Sequence, residues 1–216
     1  METLNSHDNT ASATSERDSI ISEIIDAEWE MFTAVNNVGG PAACQSQDDT
    51  FRIMRTAQFA TWSLDTLMSY HRDVLEARVQ GRNLMTEKYA RMMAVTHPDE
   101  YAKMESLLPA ISQKTFDLVD AICAQHEIWD RQVSEEFPRL RGRGRTRNDD
   151  AQLGANPTAS TYMAGELLTY SLPTLESLMS DVENAMNHGK NLVRDQLEAT
   201  VKQYGWPDLE TAEAHQ

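Results

Sequence analysis

The chain has 216 residues, enough for one domain or two small ones, and its 40% hydrophobic content can supply a core. Its 34 acidic against 19 basic side chains leave a formal charge of −15, which argues against a generally basic nucleic-acid surface and against binding to anionic membranes. No apolar run approaches the roughly 20 residues that span a bilayer, no basic-then-apolar signal segment opens the chain, and Cys44 and Cys123 have no metal-ligand spacing, so a cytoplasmic protein with free thiols is expected.

Residues 1–17 are mostly polar and read as a disordered tail; residues 18–206 read as one helical domain, and 207–216 as a second polar tail. No strand alternation persists between the tails. A first helix is expected from about Asp18 to Val35, stopping before Gly39-Gly40-Pro41. A second runs from Asp49 to Trp62. Ser63 caps a third, which ends at Gly81. A fourth covers Asn83 to Val95, and Pro98 opens a short fifth. A long sixth spans Ile111 to Glu135 and stops before Pro138. Asn156-Pro157 opens a seventh, Ser171 and Pro173 an eighth ending at Gly189, and the ninth runs from Asn191 to Tyr204. The fold class is therefore all-α, a single bundle of about nine helices.

Residues 61–84, TWSLDTLMSYHRDVLEARVQGRNL, and 169–192, TYSLPTLESLMSDVENAMNHGKNL, align without a gap. Half of the positions are identical, against the one or two that chance gives. Each copy has a capping Ser, a terminating Gly and a basic-Asn-Leu step into the next helix. The same shift pairs Gln58 with Glu166 and Trp62 with Tyr170. A duplication predicts a pseudo-two-fold bundle, and such bundles place sites between facing helices.

Polar residues interrupt the apolar stripes. Glu28 lies among Ile21, Ile24, Ile25, Met31, Phe32 and Val35 of the first helix. A carboxylate there is costly unless paired or serving a cationic ligand. Arg55 and Gln58 share a face with Phe51, Met54 and Trp62, with Arg52 nearby. Glu166 is surrounded by Tyr162, Met163, Leu167 and Tyr170. Lys88 and Tyr89 border the Met85–Met92 stripe, beside Glu87. These groups are expected to line one polar pocket. Glu28 and Glu166 can hold a guanidinium or ammonium group; Arg55 can hold a carboxylate or phosphate, or pair with one of the acids. Arg52, Arg55, Gln58, Lys88, Tyr162, Glu166 and Tyr170 are the candidate substrate-binding residues. Eleven methionines, ordinary helix filler, can also let the interior adapt around a ligand. His71 and His126 sit on apolar stripes as core residues do. Neither completes the Glu-x-x-His spacing of helical di-iron sites, so no metal and no cofactor are expected. Walker, dinucleotide, nucleophile-elbow and zincin motifs are absent.

Residues 139–147, RLRGRGRTR, hold five of the 19 basic residues. Arg139, Arg141, Arg143, Arg145 and Arg147 can meet a phosphate backbone, or else serve the chain's own acidic surface.

The strings EWEMFTAVNNVGGPAACQ, TFRIMRTAQFATW and GRNLMTEKYARMM resemble the family known as domain of unknown function 4125, over about residues 20–205. That resemblance implies a helical protein, sometimes fused to a nucleotidyltransferase-like domain. The chain is also similar to the fungal arginine-containing cyclodipeptide synthases, by indirect features rather than a motif. This second resemblance implies peptide-bond formation from arginyl-tRNA and a second aminoacyl-tRNA. Such a reaction needs a base for the attacking amine and donors for the oxyanion. Glu87 or Glu28 is the candidate base, and Tyr89, Lys88 or Tyr162 the oxyanion donor. Cys44, just after Gly-Gly-Pro, is a candidate nucleophile or else a free structural thiol. The alternatives are an RNA-independent lyase or oxygenase acting on an amino acid, and a non-catalytic module that binds an acidic partner through the arginine loop.

Overall fold

The structure, a computed structural model, describes residues 5–36, 40–142 and 158–216, with side chains from Glu16 onward. The described residues form eleven α-helices and no strand. They are α1 (Asn5–Thr33), α2 (Asp48–Phe59), α3 (Leu64–Val79), α4 (Leu84–Thr96), α5 (Pro98–Met104), α6 (Gln113–Glu136), α7 (Pro138–Gly142), α8 (Ala159–Leu167), α9 (Leu172–Asn187), α10 (Leu192–Gln203) and α11 (Leu209–Ala214). None is long and apolar enough to cross a membrane.

Local chemistry sets the helix ends. Ser63, Asn83, Ser112, Thr158, Ser171, Asn191 and Asp208 each accept a bond from a backbone amide three residues on, the usual N-cap geometry. Gly81 and Gly189 close α3 and α9 at φ of 68° and 64°, where a side chain would be strained. The Arg82 and Lys190 amides then bond back to the Ala77 and Ala185 carbonyls at 2.8 and 2.9 Å.

Three boundaries differ from the sequence reading. Helix α1 begins at Asn5, within the expected tail. Residues 138–142 continue as α7, because Pro138 stops α6 yet suits the first turn of a new helix. The polar C-terminal stretch forms α11, because Leu209 and Ala212, one turn apart, bury against Val133, Phe137 and Val201. The expected opener Asn156-Pro157 lies outside the described residues, and Thr158 caps α8.

Helix α1 packs on α2, α3 and α4; α6 packs on α8, α9 and α10. Helices α3 and α9 meet at the centre, flanked by α4 against α8 and α2 against α10. The two similar segments bond each other in exchanged order. The Ser63 amide donates to Asp181 Oδ2 at 2.9 Å, and the Ser171 amide to Asp73 Oδ2 at 2.9 Å. Thr66 Oγ1 meets Ser177 Oγ at 2.7 Å, and Thr174 Oγ1 meets Ser69 Oγ at 2.8 Å. Asn83 Nδ2 donates to the Met31 carbonyl on α1; Asn191 Nδ2 donates to the Trp129 carbonyl on α6.

Candidate functional site

Two neighbouring features carry the polar chemistry: a buried network and an open cleft. The network centres on Arg55. Its Nε donates to Glu28 Oε2 at 2.6 Å and its Nη2 to Glu28 Oε1. Its Nη1 is shared between Glu166 Oε1 and Gln58 Oε1, each at 2.8 Å. Gln58 Nε2 reaches Glu166 Oε1 at 3.0 Å, and Lys88 Nζ holds Glu166 Oε2 at 2.5 Å. Tyr70 and Tyr170 donate their hydroxyls to Glu28 and Glu166, both at 2.7 Å. Their rings lie 4.5 Å apart between centroids and pack with Trp62.

Helices α1, α2, α4 and α8 thus each bring one or two of the anticipated groups to a single place, and α3 adds Tyr70. Sequence reasoning missed Tyr70. It sits on the stripe of Leu67 and Val74, where an aromatic reads as ordinary core.

Two carboxylates face two cations, so the network is balanced. The position expected for a ligand's guanidinium or ammonium group is held by Arg55 and Lys88. Burial raises the Glu28 carboxyl above the usual carboxylate range, with Arg55 opposing and Glu166 adding to the rise. Burial also pushes Glu166 up, but Arg55 and Lys88 outweigh it and hold that carboxyl well below the usual range. Both tyrosine hydroxyls are pushed well up, first by burial and then by the adjacent carboxylate.

The remaining candidates lie outside this network. Glu87 is clamped by Arg82 Nε and Nη2 at 2.8 and 2.7 Å. Arg52 bridges Asp26 and Asp48 at 2.8 and 2.9 Å near the surface. Tyr89 and Tyr162 pack edge-on at 6.5 Å, and Lys88 Nζ lies 6.0 Å from the Tyr162 ring centre, so this pair borders the network. Cys44 is exposed on a short 3-10 helix, Ala43–Ser46. His71 pairs with Glu23 at 3.1 Å, and His126 packs edge-on against Trp129. Among the described residues no group of three or more His, Cys, Asp or Glu gathers as metal ligands.

Of the arginine run, Arg139 is exposed, whereas Arg141 is paired with Asp130. Its own acidic surface therefore claims one of the five. Arg143, Arg145 and Arg147 lie outside the described residues.

The cleft, of about 370 Å³, opens between α3, α4, the segment leading into α6, and the α8–α9 corner. Asp73, Glu76, Arg82 and Arg91 supply its charge. Thr169, Tyr170 and Ser171 line the corner, so Tyr170 connects the cleft with the buried network. None of the four charged residues was anticipated, because Asp73, Glu76 and Arg91 read as normal solvated helix positions and Arg82 as part of the turn between α3 and α4.

The matching corner between α2 and α3 is occupied. There Arg17, on α1, donates through Nη2 to the carbonyls of Phe59, Ala60 and Trp62 at 2.9, 3.2 and 2.6 Å. Thr115, on α6, lines the cleft, and its short side chain turns to the α6 cap, meeting Ser112 Oγ at 2.9 Å. Among the described residues no side chain donates to the carbonyls of Leu167, Leu168 or Tyr170, the counterparts of Phe59, Ala60 and Trp62.

A family model described as "Protein of unknown function (DUF4125)" matches residues 18–214. No curated protein and no solved structure matches the chain.

Proposed function

Since the chain belongs to the DUF4125 family, whose description names no activity, we propose that it is an aminoacyltransferase that seats an arginyl group in the cleft beside Tyr170. One observation carries the choice of ligand: the chain's own Arg17 fills the matching corner. In this reading the halves are related by a pseudo-two-fold exchange. A ligand guanidinium meets the Leu167, Leu168 and Tyr170 carbonyls as Arg17 meets Phe59, Ala60 and Trp62. The C-terminal carbonyls of a helix favour a cation, and Asp73 and Glu76 on the cleft wall add opposite charge.

The reaction is cyclic dipeptide formation from arginyl-tRNA and a second aminoacyl-tRNA. The amine of one aminoacyl ester attacks the ester carbonyl of the other, and the tRNA hydroxyl leaves with a proton. The remaining amine then attacks the second ester, closes the ring and releases the second tRNA. Both steps exchange an ester for an amide, so positioning and oxyanion stabilisation carry most of the catalysis. In this reading Arg139, Arg143, Arg145 and Arg147 meet the tRNA backbone, and Arg141 anchors the segment through Asp130.

The test supplies the full chain with arginyl-tRNA and a set of other charged tRNAs. An arginine-containing cyclic dipeptide is expected by mass spectrometry, and its formation should cease after ribonuclease treatment. Thr115→Arg places a guanidinium on the cleft wall. It is expected to abolish arginine binding while the melting temperature stays close to wild type. Arginine binding without cyclic dipeptide, at any tRNA pairing, would shift the reading to an RNA-independent enzyme acting on arginine. Absence of arginine binding by the wild type would remove the cleft assignment altogether.

A further inference from the structure

Arg91, on α4, lines the same cleft yet is only 6% exposed. Its Nη2 donates to the Pro109 carbonyl at 2.6 Å. Its Nε is buried and has no acceptor. An ionised donor shielded from water without a partner is costly, and guanidinium does not escape that cost by losing its proton. Arg82 on the same wall differs, because Glu87 satisfies it from two sides. Thus Arg91, which also bonds the Tyr101 side chain, keeps one guanidinium N–H without an acceptor.

The surroundings favour negative charge at that end. Pro109, which accepts the Arg91 bond, stands three residues before Ser112, the N-cap of the 24-residue α6, so a positive helix end lies beside Arg91. The other corner offers a contrast. Counting on from the matched caps Asn83 and Asn191, the counterpart of Arg91 is Ala199. That corner is filled by Arg17, a residue of the chain itself, which has no ligand carboxyl group to recognise.

We propose that Arg91 recognises the carboxyl oxygen of the cleft's ligand, while the ligand's guanidinium rests on the α8 carbonyls at the opposite end. The inference rests on the arginyl reading and adds a second point of attachment to it. For free arginine the oxygen belongs to a carboxylate. For an arginyl ester it is the carbonyl oxygen, which gains negative charge as an amine attacks, so the same contact strengthens in the transition state.

Calorimetric titration of the full chain with arginine, arginine methyl ester and agmatine tests this, because the three share a guanidinium and differ in the carboxyl group. Wild type is expected to bind arginine at least about tenfold more tightly than agmatine, the size of effect that a charged hydrogen bond gives. The methyl ester should fall between them. Arg91→Gln should bring arginine down to the agmatine level and leave agmatine unchanged; Arg91→Lys should recover part of the difference. Equal binding of arginine and agmatine by wild type overturns the inference and leaves the guanidinium site standing. An equal loss of all three ligands in Arg91→Gln overturns it too, since the residue would then shape the cleft without reading the carboxyl. If no ligand binds wild type, the arginyl reading fails and this inference fails with it. The wild-type comparison decides the matter even if Arg91→Gln does not fold.

Discussion

At Arg55 one guanidinium separates two buried carboxylates, and the cost of removing each partner should differ accordingly. Arg55→Met leaves Glu28 and Glu166 with Lys88 as the remaining cation. Breaking a buried pair from one side typically costs about 3–5 kcal/mol, and urea unfolding should show a loss of that order. Glu28→Gln should cost less, because burial already raises that carboxyl and the amide oxygen can still accept from Arg55 Nη2 and Tyr70, with only the Arg55 Nε bond lost. A Glu28→Gln loss equal to that of Arg55→Met would contradict this ranking. His126 makes a separate claim. Burial lowers its pKa from 6.5 to about 4, so the unfolded chain binds a proton in that window and the folded chain does not. Stability should therefore fall as pH drops from about 6.5 to about 4, by roughly 2–3 kcal/mol. His126→Gln should flatten that slope. Glu166, held low, loses its contribution only as pH falls further, so its share of acid unfolding should persist in the variant.

Among the elements, α4 and α8 make the closest approach that bears on the network. A Cβ at Gly165 would meet Met92 Cγ at 2.6 Å and the Lys88 carbonyl at 3.0 Å. Met92 can turn aside, but the Lys88 carbonyl is fixed in the backbone of α4. Gly165→Ala must then move α8, and with it Glu166, away from Lys88 Nζ. Overpacking of this kind costs about 1–3 kcal/mol, against roughly 1 kcal/mol gained from helix propensity. A net fall in melting temperature is expected; an unchanged or raised value would show that the contact has slack. The caps that define these elements were legible in advance. Ser63, Ser171, Gly81 and Gly189 act within a few residues of themselves, so local chemistry decides them. Helix α11 was less legible, because Leu209 and Ala212 are too few to signal a helix until the Val133–Phe137 surface receives them.

For the molecule as a whole, the sequence alone determined the helical class, most helix ends, the repeated segments, and the misplaced polar residues Glu28, Arg55, Gln58, Lys88 and Glu166. All of these follow from spacing along the chain, where a period of 3.6 or a capping residue leaves a visible mark. Tertiary structure decided what those polar groups do. They satisfy one another, and the open space lies beside them in the cleft. Arg17 shows why this could not be read in advance. Its partners are backbone carbonyls more than forty residues away, at Phe59, Ala60 and Trp62. Carbonyls are identical in every residue, so the sequence carries no sign of which ones a guanidinium will cap. Thr115 is silent for the same reason. The cleft is open where the short Thr115 side chain lies, and only the packing of α6 against α8 and α9 sets that space beside the α8–α9 corner.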